Sequence, residues 1–128
     1  MDSEEWGVVN FILLTKYIVM KNIIADKSYA FAIRIVNLYK HLSTEKKEFV
    51  LSKQLLKSGT AIGALVKEAE HAQSKADFLN KMNIALKEAN ETEYWLMLQK
   101  DTGYLSQTKF SSMKTDCSEI LQLLISIV

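Results

Sequence analysis

The chain has no proline and only four glycines, Gly7, Gly59, Gly63 and Gly103, in 128 residues. Proline breaks helices and glycine supplies most tight turns, so a chain nearly free of both is biased toward long helices and against a hairpin-rich sheet. The length suits one domain, because an independent domain typically needs ~100 residues or more. At 48% hydrophobic and 24% charged, with 16 basic against 15 acidic side chains, the composition is that of a folded globular chain, not a disordered tail. Cys117 is the sole cysteine, which excludes an intramolecular disulfide and a multi-cysteine zinc site and is compatible with a reducing cytosol. A cytoplasmic location is the expectation, with Cys117 as a small core residue.

Residues 8–20, VVNFILLTKYIVM, form an apolar run interrupted by Asn10 and Lys16. The run is shorter than the ~20 residues of a membrane span, so no membrane association is expected. A secretory signal would begin with a basic stretch, whereas Met1-Asp2-Ser3-Glu4-Glu5 is acidic. Two readings of residues 1–19 remain: an extra hydrophobic segment packed on the domain, or upstream sequence ahead of a start at Met20, the second being preferred. The domain proper is then 20–128, with 15 basic and 12 acidic residues once Asp2, Glu4, Glu5 and Lys16 are set aside, a net charge of +3.

Helical periodicity recurs through that domain. Phe31, Ile35, Leu38 and Leu42 lie four, three and four residues apart, which stacks them on one face of a helix expected from Asp26 or Lys27 to Leu42. Ser43 and Thr44 carry hydroxyls suited to cap a second helix, expected to start between Thr44 and Glu48 and to end near Gln73, with Leu51, Leu55, Ser58, Ile62, Leu65 or Val66, and Ala69 on its inner face. Ser74-Lys75-Ala76-Asp77 has the form of a capping signal for a third helix carrying Phe78, Met82, Ala85, Leu86, Ala89 and Leu96. That helix should stop near Asp101 or Thr102, where Gly103 takes a left-handed conformation. From about Ser106, Phe110, Met113, Cys117, Ile120, Leu124 and Ile127 form the seam of a fourth. Short connections between four such helices imply an all-α, antiparallel up-down bundle.

Three of these helices carry a second apolar stripe. It comprises Tyr29, Ile33 and Val36 in helix one; Phe49, Leu56 and Gly63, with Gly59 alongside, in helix two; and Ile84, Glu88, Glu91 and Trp95 in helix three. A monomeric bundle needs one buried stripe per helix, so the second set implies a subunit interface and a homo-oligomer. Glu88 and Glu91, on a half-buried stripe, are expected to meet a basic side chain of a neighbouring subunit.

Chemistry is sparse. Glu68-x-x-His71 has the spacing of a di-iron carboxylate bundle, but no second copy exists and His71 falls on the lysine side of helix two, so a solvated pair is the better reading and neither metal nor cofactor is expected. No nucleophile, base and acid can be assembled from two histidines and one seam cysteine, which argues against an enzyme. Ser58-Gly59-Thr60-Ala61-Ile62-Gly63-Ala64 lacks the Lys-Ser/Thr ending of a phosphate loop, and glycines four apart are better explained by close helix packing. Lys46, Lys53 and Lys57 line one face of helix two. A solvated face explains them, yet a symmetric ring would repeat them in every subunit and create a field that attracts phosphates. Lys67, Lys75, Lys81 and Lys87 are scattered, and no exposed aromatic platform for stacking bases is evident.

Ala32-Ile33-Arg34-Ile35-Val36-Asn37-Leu38-Tyr39, then Leu51-Ser52-Lys53-Gln54-Leu55-Leu56-Lys57-Ser58-Gly59-Thr60-Ala61-Ile62-Gly63-Ala64, resemble the four-helix-bundle proteins encoded in intervening sequences of bacterial 23S rRNA genes. Ser74-Lys75-Ala76-Asp77-Phe78, Ile84-Ala85-Leu86-Lys87-Glu88-Ala89 and Glu91-Thr92-Glu93-Tyr94-Trp95-Leu96 match the family's other signature, and the resemblance covers residues 20–128. It implies a fold similar to the accessory variability determinant of diversity-generating retroelements, and hence a ring-shaped homopentamer. The retroelement protein partners a reverse transcriptase and nucleic acid through a basic surface, so RNA or a nucleic-acid enzyme is the implied partner, and no catalytic residue is carried over. Leu65-Val66-Lys67-Glu68-Ala69-Glu70-His71 departs from the more polar Asn-Ile-x-Glu-Ala pattern expected of the family. Two functions of different class follow: a non-enzymatic RNA-associated ring using Lys46, Lys53 and Lys57, or a protein-interaction scaffold with no direct nucleic-acid contact.

Overall fold

The computed structural model describes residues 1–128. It contains four helices, α1 Ser3–Thr44, α2 Val50–Ala69, α3 Lys75–Asp101 and α4 Gln107–Ile127, and no strand. The fold is all-α.

The expected stripe of α1 is buried, with Ile24 and Ser28 continuing it toward the N-terminus. The expected start of this helix at Asp26 or Lys27 is corrected to Ser3, with the Asp2 carboxylate accepting from the N–H of Glu5 at 2.8 Å. Nothing between these points interrupts a helix: there is no proline, and Gly7 is the only glycine. The stripe begins late because neighbouring helices begin to cover α1 only there. From Ser3 to Lys16 nearly every side chain is exposed, and Tyr17 and Met20 are the first to reach the core. By length and composition alone, α1 passes as a membrane-crossing helix, so the shortness inferred for the apolar run does not hold for the helix that contains it.

A core of 21 buried hydrophobic residues is shared by all four helices, with α1 against α2 and α4, and α3 against α2 and α4. Lys27 meets Glu119, Arg34 meets Asp116 and His41 meets Lys109, so residue numbers fall along α4 as they rise along α1.

The second helix begins later and ends earlier than its sequence suggests, at Val50 and Ala69. Ser43 and Thr44 do not cap it; their hydroxyls donate back to carbonyls of α1, Tyr39 at 2.8 Å from Ser43 and Lys40 in both cases. The cap is Glu48, whose carboxylate accepts from the N–H groups of Leu51 at 2.6 Å and Ser52 at 2.9 Å. Lys47 just before it holds a left-handed φ of 56°, a conformation that costs a non-glycine residue ~1 kcal/mol. Ser52 takes the innermost place expected for Leu51, which is half-buried, while Leu55, Ser58, Ile62, Val66 and Ala69 face inward as expected.

The two later boundaries match the sequence reading. The Ser74 hydroxyl accepts from the N–H of Asp77 at 3.0 Å, Gly103 has φ of 88°, and the Ser106 hydroxyl accepts from the N–H of Lys109 at 3.2 Å. All six seam residues of α4 are buried.

Candidate functional site

The three lysines assigned to a common face are not on one helix. Lys46 lies in the connection before α2, whereas Lys53 and Lys57 project from α2 itself, one turn apart and exposed. The correction has a simple origin: Glu48 caps the helix after Lys46, so the register that would align Lys46 with Lys53 is never formed. Neither Lys53 nor Lys57 lies within ion-pair distance of a carboxylate, unlike Lys27, Lys67, Lys81 and Lys100. Lys57 nonetheless acts on Glu88 across the α2/α3 boundary. Burial pushes the Glu88 carboxyl up, repulsion from Glu91 adds to this, and the Lys57 ammonium opposes both.

The residues assigned to subunit contact divide into two groups. Tyr29, Ile33 and Phe49 are 70%, 48% and 50% exposed, unpartnered within the chain. Ile84, Glu88 and Leu56 are half-buried and Glu91 is exposed. Trp95 is half-buried against the core, its indole N–H donating to the Glu91 carboxylate at 3.1 Å and its ring meeting Tyr94 edge to face at 5.0 Å. The assignment of Gly59 to an outer surface is corrected. A Cβ there would stand 2.7 Å from the Ile35 side chain, so the missing side chain serves contact between α1 and α2 inside one chain. Gly63 does the same less tightly, with a Cβ position 3.2 Å from the carbonyl oxygen of Ser28. Helix packing was the reading of the Gly-x-x-x-Gly pair; its direction is inward.

The remaining polar residues of interest are structural in their contacts. Ser58 and Thr92 join α2 to α3 by a buried hydroxyl pair at 3.0 Å. The Cys117 thiol donates to the Ala89 carbonyl at 3.4 Å, and burial, with the nearby Glu93 and Asp116 carboxylates, pushes its pKa up to about 12. A thiol so held is not a nucleophile at neutral pH. Glu93 on α3 therefore lies close enough to Cys117 on α4 to act on it. His71 is exposed in the α2–α3 turn, and no three His, Cys, Asp or Glu side chains converge as metal ligands.

Glu48 and Gln99 are the site that periodicity missed. Burial alone would raise the Glu48 carboxyl, but the N–H groups of Ser52 and Leu51, the Ser52 hydroxyl and the Gln99 amide outweigh it and hold it below its ordinary value. The Gln99 side chain is fully buried beside this carboxylate, with no partner of its own at full hydrogen-bond geometry. Lys46 and Phe49 flank this buried cap and owe their positions to it.

The family model of the 23S rRNA-intervening sequence protein matches residues 20–126. A crystal structure of a protein of unknown function from the S23 ribosomal protein family of Bacteroides thetaiotaomicron superposes with a TM-score of 0.83 at 61% identity, covering 84% of this chain and 96% of that one. No curated protein matches. The exposed part of α1 thus precedes the matched region, and the four-helix core coincides with it: the chain belongs to the 23S rRNA-intervening sequence protein family.

Proposed function

We propose that this protein is a non-enzymatic accessory factor that assembles with copies of itself into a ring, a homopentamer of up-down bundles, and associates with RNA. The carrying observation is the pair Lys53 and Lys57, exposed on α2 with no carboxylate at ion-pair distance. A lone pair of surface lysines binds polyanions weakly, but ring symmetry repeats it in every subunit, and affinity for a phosphate backbone grows with each contact made. Unpartnered Tyr29 and Ile33 on α1 support the assembly, and the opposed numbering of α1 and α4 supports the up-down arrangement.

The test is RNA binding by the intact chain and by Lys53→Glu/Lys57→Glu, measured by gel shift across a salt series. The proposal expects binding that weakens steeply with salt and falls at least tenfold in the variant, with helicity unchanged. Binding that persists in the variant and ignores salt contradicts it.

A second reading, a scaffold for another protein, is favoured by two observations. Lys57 already partly offsets the desolvation of Glu88, and Tyr94 and Met97, 56% and 43% exposed, continue the α3 surface in apolar form. Under that reading the double variant leaves partner recovery intact, while Tyr94→Ala abolishes it.

A further inference from the structure

A groove of about 460 Å³ runs between α1 and α4, on a side of the bundle away from Lys53 and Lys57. Its lining includes three basic side chains, Arg34 and His41 from α1 and Lys109 from α4, and no carboxylate. The two ends differ. At one, the Arg34 guanidinium is neutralised by Asp116, just outside the lining, and fixed by the Ser112 hydroxyl at 2.8 Å. At the other, Lys109 Nζ stands 3.1 Å from His41 Nε2, and no Asp or Glu lies within ion-pair distance of either.

Two basic groups from different helices thus meet across one hydrogen-bond distance with no carboxylate beside them, an arrangement that an anion bridging both completes. The surroundings suit an acceptor-rich anion. Thr108 and Asn37 add a hydroxyl and an amide to the lining, and Leu38 and Met113, both buried, form an apolar floor. Thr108 and Lys109 also belong to the first turn of α4, which contains no acidic residue and whose side-chain cap is the neutral Ser106 hydroxyl.

We propose that the His41/Lys109 end of this groove is a binding site for a phosphate group. It is separate from the α2 lysines and stands or falls without them. Basic side chains from two helices, with hydroxyl and amide groups beside them, match a tetrahedral oxyanion rich in acceptors. The Arg34 end, already paired, sets the groove's register.

The probe is inorganic phosphate, added to the full chain. Chloride at equal ionic strength is the control, and the His41 ring and the amides of Gln107, Thr108 and Lys109 are followed by NMR. The expected result is a saturating shift at these positions and none at His71, weakened at least tenfold in Lys109→Gln and in His41→Gln, and unchanged in Lys53→Gln. A drift that chloride reproduces, a parallel shift at His71, or equal binding by both groove variants overturns the site. Competition then separates the sources of the phosphate. A short oligoribonucleotide with a 5′ hydroxyl displaces inorganic phosphate if backbone phosphodiesters are bound. Only its 5′-phosphorylated form does so if a terminal monoester is required, and either result upholds the site.

Discussion

The two halves of α1 are made of similar material and live in different worlds. Phe11, Ile12, Leu13 and Leu14 are 57–70% exposed, whereas Phe31 and Ile35, further along the same unbroken helix, are 1% and 0% exposed. Four consecutive apolar residues span most of a helix circumference, so no single flanking surface covers them; a stripe at steps of three and four presents one face that a bundle can bury. Apolarity by itself therefore does not build this fold; Leu13 stands in phase with Tyr17, Met20 and Ile24 and is still 59% exposed, because no neighbouring helix reaches it.

The contrast is open to attack by paired substitutions. Phe31→Ala should cost about 3–5 kcal/mol of unfolding free energy, while Phe11→Ala stays within about 0.5 kcal/mol, both read from denaturant unfolding of the full chain. A comparable loss at Phe11 would mean the first half is part of the cooperative unit. The glycines make the next pair. Gly59→Ala forces a methyl to within 2.7 Å of the buried Ile35 side chain and should destabilise by about 1–3 kcal/mol, whereas Gly7→Ala meets nothing within 4 Å and should leave the global transition unmoved.

The caps provide a third pair and a pH signature. Glu48→Ala should cost about 1 kcal/mol near neutrality, and Asp2→Ala nothing measurable in the global transition. Because the folded Glu48 carboxyl lies below its ordinary value, the stability it contributes is complete above the unfolded carboxyl range and is lost as pH falls through the folded one. Wild type and Glu48→Ala should therefore converge in acid in this respect. The smallest effect has the opposite sign: the Glu88 carboxyl is raised, so its charge opposes folding above that range. Glu88→Gln should slightly raise the melting temperature at neutral pH and give no gain in acid.

These pairs also show how far the sequence could be read. Wherever one helix face decided the outcome, it was legible: Phe31 to Leu42, Phe110 to Ile127, and the hydroxyl caps at Ser74 and Ser106. The start of α2 was not, because Ser43 and Thr44 look like caps yet hydrogen-bond backward, while Glu48 acts through a carboxylate whose reach only the folded connection reveals. Gly59 was recognised as a packing residue but faced the wrong way, since the direction of a glycine depends on the partner, here Ile35, 24 positions earlier. The α1/α4 groove was invisible for the same reason: His41 and Lys109 are 68 residues apart and meet only through the register of two helices.

Amide hydrogen exchange along α1 in the full chain tests the central claim most directly. If packing and not helicity holds the second half, amides from Ile24 to Leu42 exchange only through global unfolding. Those before Tyr17 then exchange orders of magnitude faster through local opening. Uniform slow exchange from Ser3 to Thr44 in the monomeric chain would contradict this account and place the first half inside the cooperative fold.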